Sequence, residues 1–372
     1  MPTPMHDFVA SFELAKRDED LKYQLIKNLL TDKLLLPSTS TLASSTADII
    51  TWVIQDARSR YASNPERLVA AISASTEANA LAVWSSSRND WIVLSYGLME
   101  RLQSGADNLG DRIAAAFPEV MHSELMQRLL QKNSLPGFRT TLGSFIYFGA
   151  IAFFAGHEAG HHLSGHDGHF VKGAHAEHSN TSDMLENSAW LRAQALEQDA
   201  DLIGLDLARR GMTKLLMQLC EVGSFSPAQQ QSYQRVLAVL IAVGAMAAVL
   251  RVVPREIEWE GVPRLRHPPS VVRVLTLAAS LSASFKESFG QLDATSRKWI
   301  RLMSLEIAAS ATILPGTPVD KIYQERLKRG GEPAAIRATG IRKALNDPQF
   351  RDYLGRLATE LQFVRPKLKP RT

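Results

Sequence analysis

The chain has 372 residues, of which 45% are hydrophobic and 22% are charged. This composition excludes intrinsic disorder, which requires low hydrophobicity and a high net charge, and a single cysteine excludes a disulfide-rich scaffold. The 42 Lys and Arg residues nearly balance the 38 Asp and Glu residues, so the net charge of +4 gives no argument for nucleic-acid binding.

The N-terminal part combines helical patterns with short apolar runs. The first sixty residues predict helices joined by a loop rich in Pro, Ser and Thr. Three apolar runs bounded by turn residues follow, and their length and composition are typical of strands in a small sheet. These runs are residues 68–75, 79–85 and 91–96.

From residue 106 onward the patterns are almost wholly helical. A long apolar helix follows Pro136 and Gly137, and the His- and Gly-rich segment 165–182 is predicted to be a loop. Residues 183–210 predict an amphipathic helix that ends near Gly211. We therefore predict a mainly helical α+β fold with one small β-sheet.

Two uncharged runs were tested as membrane spans, residues 140–156 and 236–250. Both are shorter than the roughly 20 apolar residues that a span requires, so they predict buried core helices. The first 24 residues lack a basic segment followed by an apolar stretch, which predicts no signal peptide. The lone Cys220 fits a reducing compartment. We expect a cytoplasmic location, with peripheral membrane association left open.

The most informative motif is His157-Glu158-Ala159-Gly160-His161, an HExxH sequence near the end of the long apolar helix. Residues four apart lie on one face of a helix, so both imidazoles can bind one metal ion. A zinc ion lowers the pKa of a bound water toward ~7, and Glu158 is placed to accept its proton. The motif predicts one zinc ion and peptide-bond hydrolysis.

The third ligand is expected from a later helix. Glu197 and Asp201 lie one turn apart beside an apolar face, where carboxylates are costly unless a cation or a hydrogen bond satisfies them. We assign Glu197 as the third zinc ligand, and Asp201 as the acceptor for the free N–H of a ligand histidine. Glu186 is the competing third ligand.

These motifs resemble the gluzincin metallopeptidases, and within them the HtpX-like and CAAX-prenyl-protease-like family. That family has HExxH on one helix and ExxxD on a later one, as at 157–161 and 197–201 here. The resemblance covers about residues 66–280 and implies a zincin-like fold. The string HEAGHHLSGH also resembles phage-exclusion proteases, which are cytoplasmic and attack one specific host protein.

The resemblance also implies a substrate-binding strand. In this chain its place is taken by the sequence Asn79-Ala80-Leu81-Ala82. An exposed edge of that strand would pair with the backbone of a protein or peptide substrate. The alternative is an ordinary strand that is paired within its own sheet.

A His-Pro segment with a downstream arginine follows the third ligand in the family, and His267 and Arg273 match it here. The resemblance implies a catalytic role for His267, either as a fourth ligand in a resting state or as a group that polarises the oxyanion. The alternative for His267 is a turn histidine before a helix. Arg273 is expected to pair with the acidic site, and a surface arginine is its alternative.

Five further histidines crowd residues 162–178, which predicts either a second metal site or a solvated lid. The spacing fits no closed zinc site, which favours the lid. The histidines are His162, His166, His169, His175 and His178.

We predict three segments: an N-terminal helical segment at 1–63, a zincin-like metallopeptidase domain at 64–314 and a basic helical segment at 315–372. The last has 13 Lys and Arg against 6 Asp and Glu, an excess of seven positive charges. It predicts a solvated helical face with a frayed tail, and contact with nucleic acid or another acidic partner is the alternative. A non-catalytic protein with a structural zinc site is the alternative to the peptidase.

Overall fold

The computed structural model describes residues 4–61, 64–85, 89–116, 127, 142–166, 174–176, 189–219, 226–252, 267–289 and 348–368. The α-helices in these ranges are α1 Pro4–Ala15, α2 Glu19–Lys27, α3 Thr41–Arg58, α4 Tyr96–Ala116, α5 Leu142–Leu163, α6 Ala189–Leu219, α7 Pro227–Val252, α8 Ser270–Phe289 and α9 Pro348–Val364. Short 3-10 helices cover Pro37–Thr39, Pro65–Arg67 and Arg365–Lys367. The strands are β1 Leu68–Ser73, β2 Ala80–Trp84, β3 Asp90–Ser95 and β4 Ala174–Ala176.

The strands form one mixed sheet with the order β1-β3-β2-β4. β1 and β3 are parallel, and β2 is antiparallel to both β3 and β4. Every residue of β1 and β3 is buried, which explains why both read as continuous apolar runs and not as alternating patterns. The mainly helical α+β class and the three predicted strands are confirmed.

β4 corrects two expectations. Residues 165–182 were predicted to form a loop, yet residues 174–176 pair with Leu81, Ala82 and Val83 of β2. β2 therefore has a hydrogen-bonded neighbour on each side, as in the ordinary paired strand that was the alternative for Asn79–Ala82. At Leu81 and Ala82 the expected exposed edge is occupied by β4, and the substrate-binding role of Asn79–Ala82 stays a prediction.

Helices α1 and α2 cover one face of the sheet. The odd-numbered residues of β1, β2 and β3 point to this face, because successive side chains of a strand alternate. They form a fully buried apolar cluster with side chains from the two helices and the following turn: Ala15, Leu21, Leu25, Leu30, Val69, Ala71, Leu81, Val83, Trp91 and Val93.

Trp91 of β3 joins the elements on either side of the sheet. Its indole Nε1 donates to Oδ2 of Asp18 at 2.8 Å, and Asp18 also caps α2 by accepting from the backbone N–H of Leu21. The carbonyl oxygen of Trp91 lies 3.0 Å from Nε2 of His162 at the end of α5. The same residue thus fixes α2 through its side chain and α5 through its main chain.

Glycines allow α5 to approach its neighbours closely. A Cβ atom at Gly244 of α7 would lie 2.2 Å from the carbonyl oxygen of Ile146, and a Cβ at Gly204 of α6 would lie 2.7 Å from the backbone nitrogen of His157. Gly156 of α5 faces Gly204 in the same manner, and Gly160 faces Ala200. The backbones of α5 and α6 are therefore nearly in contact at the HExxH motif.

The chain divides into two compact units. The first contains residues 1–179, 200–248 and 369–372, and the second contains residues 180–199 and 249–368. The first unit includes the sheet and the HExxH helix. The predicted segment boundaries at 63/64 and 314/315 stay predictions.

Residues 142–156 of the first uncharged run lie in α5, and the second run lies in α7. All residues from Leu142 to His162 are buried, and much of the middle of α7 is buried as well. Among the helices of the described ranges, none combines the length and the apolar character that crossing a membrane requires.

The close contact at Gly204 yields a stability prediction. Gly204→Ala would force the added methyl group against the backbone of His157, and we expect a loss of about 1–3 kcal/mol in the free energy of unfolding. Gly355→Ala is the matched control, because this exposed position of α9 has no heavy atom within 4 Å of an added Cβ. It should be neutral or stabilise by up to about 1 kcal/mol, since alanine is the better helix former. Denaturant unfolding measures both, and equal effects of the two substitutions would contradict this packing.

Candidate metal centre

The HExxH motif lies in the last two turns of α5. His157, Glu158 and His161 are all fully buried. The apolar run before them places this part of the helix in the core, where imidazoles and carboxylates are costly without partners. Their position therefore demands polar groups or a cation close by.

His157, His161 and Glu197 form a group that could hold a metal ion. Each offers one ligand atom, and these atoms lie within 4.8 Å of one another. The Nε2 atoms of the two histidines are 3.1 Å apart, so both rings direct their Nε2 atoms to a common point. Glu197 is fully buried as well. The structure thus brings together the three residues that the sequence analysis assigns as ligands.

Asp201 lies one turn after Glu197 on α6. Its Oδ1 accepts from Nδ1 of His157 at 2.9 Å, and both side chains are buried. A hydrogen bond from Nδ1 fixes the tautomer in which Nε2 carries the lone pair for a metal. This is the contact expected from the spacing of the two carboxylates.

His267 is placed against the third candidate ligand. Its Nδ1 lies 2.8 Å from Oε2 of Glu197, and its side chain is nearly buried. His267 does lie in a bend directly before α8, as in the alternative of a turn histidine, and it also contacts the third candidate ligand. This contact places His267 beside the carboxylate of Glu197, and the roles of His267 as fourth ligand or oxyanion partner stay predictions.

Arg273 is fully buried in α8, which excludes the alternative of a surface arginine. Buried guanidinium groups require compensating acceptors. The expected pairing of Arg273 with the acidic site stays a prediction.

The histidines after the motif do not behave as one group. His162 and His166 are fully buried, and His162 also packs edge-to-face against Trp84 with ring centroids 4.9 Å apart. The prediction of a solvated lid is therefore wrong for these two residues. His175 belongs to β4. His169 and His178, like the competing ligand Glu186, lie outside the described residues, and in the described ranges 157, 161 and 197 form the one candidate group for a metal.

In the second unit, α9 packs against the beginning of α6. Burial raises the pKa of Tyr353, whose hydroxyl donates to Oε1 of Gln194 at 2.6 Å. Tyr353 also stacks on Trp190, and Nε of Arg365 donates to Oδ1 of Asp199 at 2.6 Å. Arg365, one of the basic residues of the C-terminal segment, thus forms an ion pair within the protein. These contacts flank Glu197 on α6.

The donor set suits a divalent cation. Two neutral imidazoles and one carboxylate bring a single negative charge to the point that they share, and Asp201 adds a second beside it. All four side chains are buried, so a cation of charge +2 would offset charge that the interior otherwise penalises.

No family model, curated protein or solved structure matches this chain. The geometry of the group and the chemistry of its residues therefore carry the functional interpretation.

The spacing of small residues was a further signal of this site in the sequence. The small residues Gly156 and Gly160 repeat at a four-residue spacing on α5, and Ala200 and Gly204 repeat at the same spacing on α6. Such pairs mark the face where two helices approach closely. His166 lies five residues after His161, beyond the end of the helix, so helical periodicity gave no indication of its contact with the motif.

A metal titration tests the group. Wild type should bind one divalent ion per chain. Glu197→Gln should weaken Zn²⁺ binding by at least about 100-fold, because replacing a residue that only hydrogen-bonds to a ligand already weakens metal affinity about 10–100-fold. Asp206→Asn is the control. It removes a carboxylate that lies on the same helix as Glu197 and pairs with Arg60 and Arg210. Competition with a chromophoric chelator measures the affinities, and equal affinities for all three proteins would show that Glu197 is not a ligand.

Proposed function

We propose that this protein is a zinc-dependent endopeptidase of the gluzincin type. The observation that carries the proposal is the buried group of His157, His161 and Glu197, with Glu158 on the same helix as the two histidines. Two histidines and one carboxylate form a common ligand set of catalytic zinc, which leaves a fourth position for water or substrate. The resemblance to HtpX-like and CAAX-prenyl-protease-like enzymes supports the same chemistry.

When bound, zinc would act as a Lewis acid on the scissile carbonyl and lower the pKa of the attacking water. Glu158 is the residue that moves the proton. Its carboxylate takes a proton from the water as the new C–O bond forms, and it returns that proton to the leaving nitrogen as the C–N bond breaks. Burial of Glu158 in α5 excludes bulk solvent from this transfer.

Two other residues keep the ligands in place. Asp201 accepts from Nδ1 of His157, and His267 contacts the carboxylate of Glu197 through its own Nδ1. In this arrangement His267 orients the third ligand. A fourth-ligand or oxyanion role for His267 would require its ring to reach the reacting atoms.

The proposed substrate is a protein or peptide that binds in an extended form. The resemblance implies that β2 pairs with the backbone of the substrate. In the structure, three residues of β2 are paired with β4. Access therefore requires either release of β4 or binding beside it. The specific host-protein substrate of a phage-exclusion type of protease is compatible with such restricted access.

A structural zinc site is the second candidate function. It is favoured by the contact of His267 with Glu197, which places a third imidazole next to the group as a candidate fourth ligand. Structural sites are closed by four protein ligands, so zinc with no catalytic turnover would be the outcome.

The substitution Glu158→Gln separates the two functions. It should leave Zn²⁺ affinity within a few-fold of wild type and reduce peptide cleavage by at least about 100-fold, the lower end of the contribution of a general base. Glu100→Gln is the matched control, because it makes the same change at an exposed position of α4. New peptide termini are counted by mass spectrometry after a denatured proteome is incubated with each zinc-loaded protein.

Cleavage by wild type and by Glu100→Gln, but not by Glu158→Gln, would support the peptidase. Equal cleavage by all three would refute the role of Glu158. Zinc binding without cleavage by any of them would favour the structural site.

A further inference from the structure

The chain reverses direction directly after the HExxH helix. α5 ends at Leu163, and Gly165 has a φ of 64°, a left-handed conformation that glycine adopts without strain. The backbone N–H of Ser164 still donates to the carbonyl of Gly160, and the N–H of Gly165 donates to the carbonyl of His162. This C-terminal turn returns His166 to the core, where its side chain is fully buried.

The side chain of His166 lies next to the edge of the His161 ring that faces away from His157. Nδ1 of His161 lies 2.8 Å from Nδ1 of His166, and the two ring planes meet at 70°. The Nε2 atoms of His161 and His157 face each other at 3.1 Å. His161 therefore presents Nε2 to the candidate metal position and Nδ1 to His166.

The direction of this hydrogen bond follows from the chemistry of the ligand. A histidine that binds a metal through Nε2 is neutral and carries its proton on Nδ1. That proton is donated to Nδ1 of His166, so His166 must be the acceptor and carry its own proton on Nε2. The two ligand histidines thus have different outer partners, a carboxylate for His157 and a neutral imidazole for His161.

A neutral acceptor suits this site because the carboxylates already present match the charge of a divalent cation. Glu197 and Asp201 contribute two buried carboxylates at the candidate ion position, which match the charge of +2, and Glu158 is a further buried carboxylate on the helix of the two histidines. A carboxylate in place of His166 would add negative charge that the ion does not offset, at a cost in the core. An imidazole fixes the orientation of His161 without that cost.

We infer that His166 is a positioning residue that holds His161 in the tautomer and orientation required for metal binding. The inference rests on the metal site of the proposed function and adds a residue to it. It assigns a specific task to one histidine of the segment that follows the motif.

Three variants of the full-length chain test this role. His166→Leu removes the acceptor. His166→Asn keeps an oxygen close to the position of Nδ1, and His166→Gln moves it outward to the position of Nε2. His162→Leu is the control, because it removes the neighbouring buried histidine, which contacts the main chain of β3 at Trp91.

The measurements are Zn²⁺ affinity by chelator competition, the visible spectrum of the Co²⁺-loaded protein, and the melting temperature without metal. We expect His166→Leu to weaken Zn²⁺ binding 10–100-fold and to change the Co²⁺ spectrum, as loss of an outer partner of a ligand does. His166→Asn should recover most of the affinity and His166→Gln little of it. His162→Leu should lower the melting temperature while the affinity of the folded protein stays within a few-fold of wild type.

Unchanged affinity in His166→Leu beside a metal-binding wild type would overturn the inference and leave the proposed function intact. If His166→Leu does not fold, equal affinities of the Asn and Gln variants would overturn it. Failure of wild type to bind Zn²⁺ would overturn the proposed metal site, and the role of His166 with it.

Discussion

The backbone contact between α5 and α6 is the constraint on which the candidate site depends. Ordinary side chains at Gly156 and Gly204 would keep the helices apart, because an added Cβ would lie within 2.8 Å of the opposing backbone. Interaxial distance is set by the side chains at the contact, so glycine permits the shortest approach. Only at this separation does Asp201, on the second helix, reach Nδ1 of His157 on the first.

The second physical theme is the cost of buried charge. The site places fully or almost fully buried carboxylates and imidazoles in a core whose surrounding helices and strands are mainly apolar. Such groups are tolerated when hydrogen bonds and opposite charge offset the loss of water. The contacts of Asp201 with His157, of His166 with His161 and of His267 with Glu197 supply part of this. A divalent cation at the shared point would supply the rest.

The sequence predicted the parts of the molecule that follow local periodicity. β1, β2 and β3 were recognisable as short apolar runs, and the spacing of His157 with His161 identified one face of a helix. Assigning Glu197 to that face combined the HExxH motif with the rule that buried carboxylates require partners.

Contacts that depend on chain reversal or on tertiary pairing could not be predicted in this way. His166 reaches the motif through a turn at Gly165, and the polar character of its surroundings predicted a solvated loop instead. β4 comprises only three residues and depends on β2 for its hydrogen bonds, so its own sequence gives little strand signal.

Trp91 has a consequence for how sequence change would affect the two sides of the sheet. Its bond to Asp18 uses the indole, whereas its bond to His162 uses the peptide carbonyl. Every amino acid supplies that carbonyl. Substitutions at position 91 can therefore loosen the N-terminal helices while the hydrogen bond to the histidine beside HExxH persists. The N-terminal layer can thus tolerate or suffer mutation independently of the candidate metal centre.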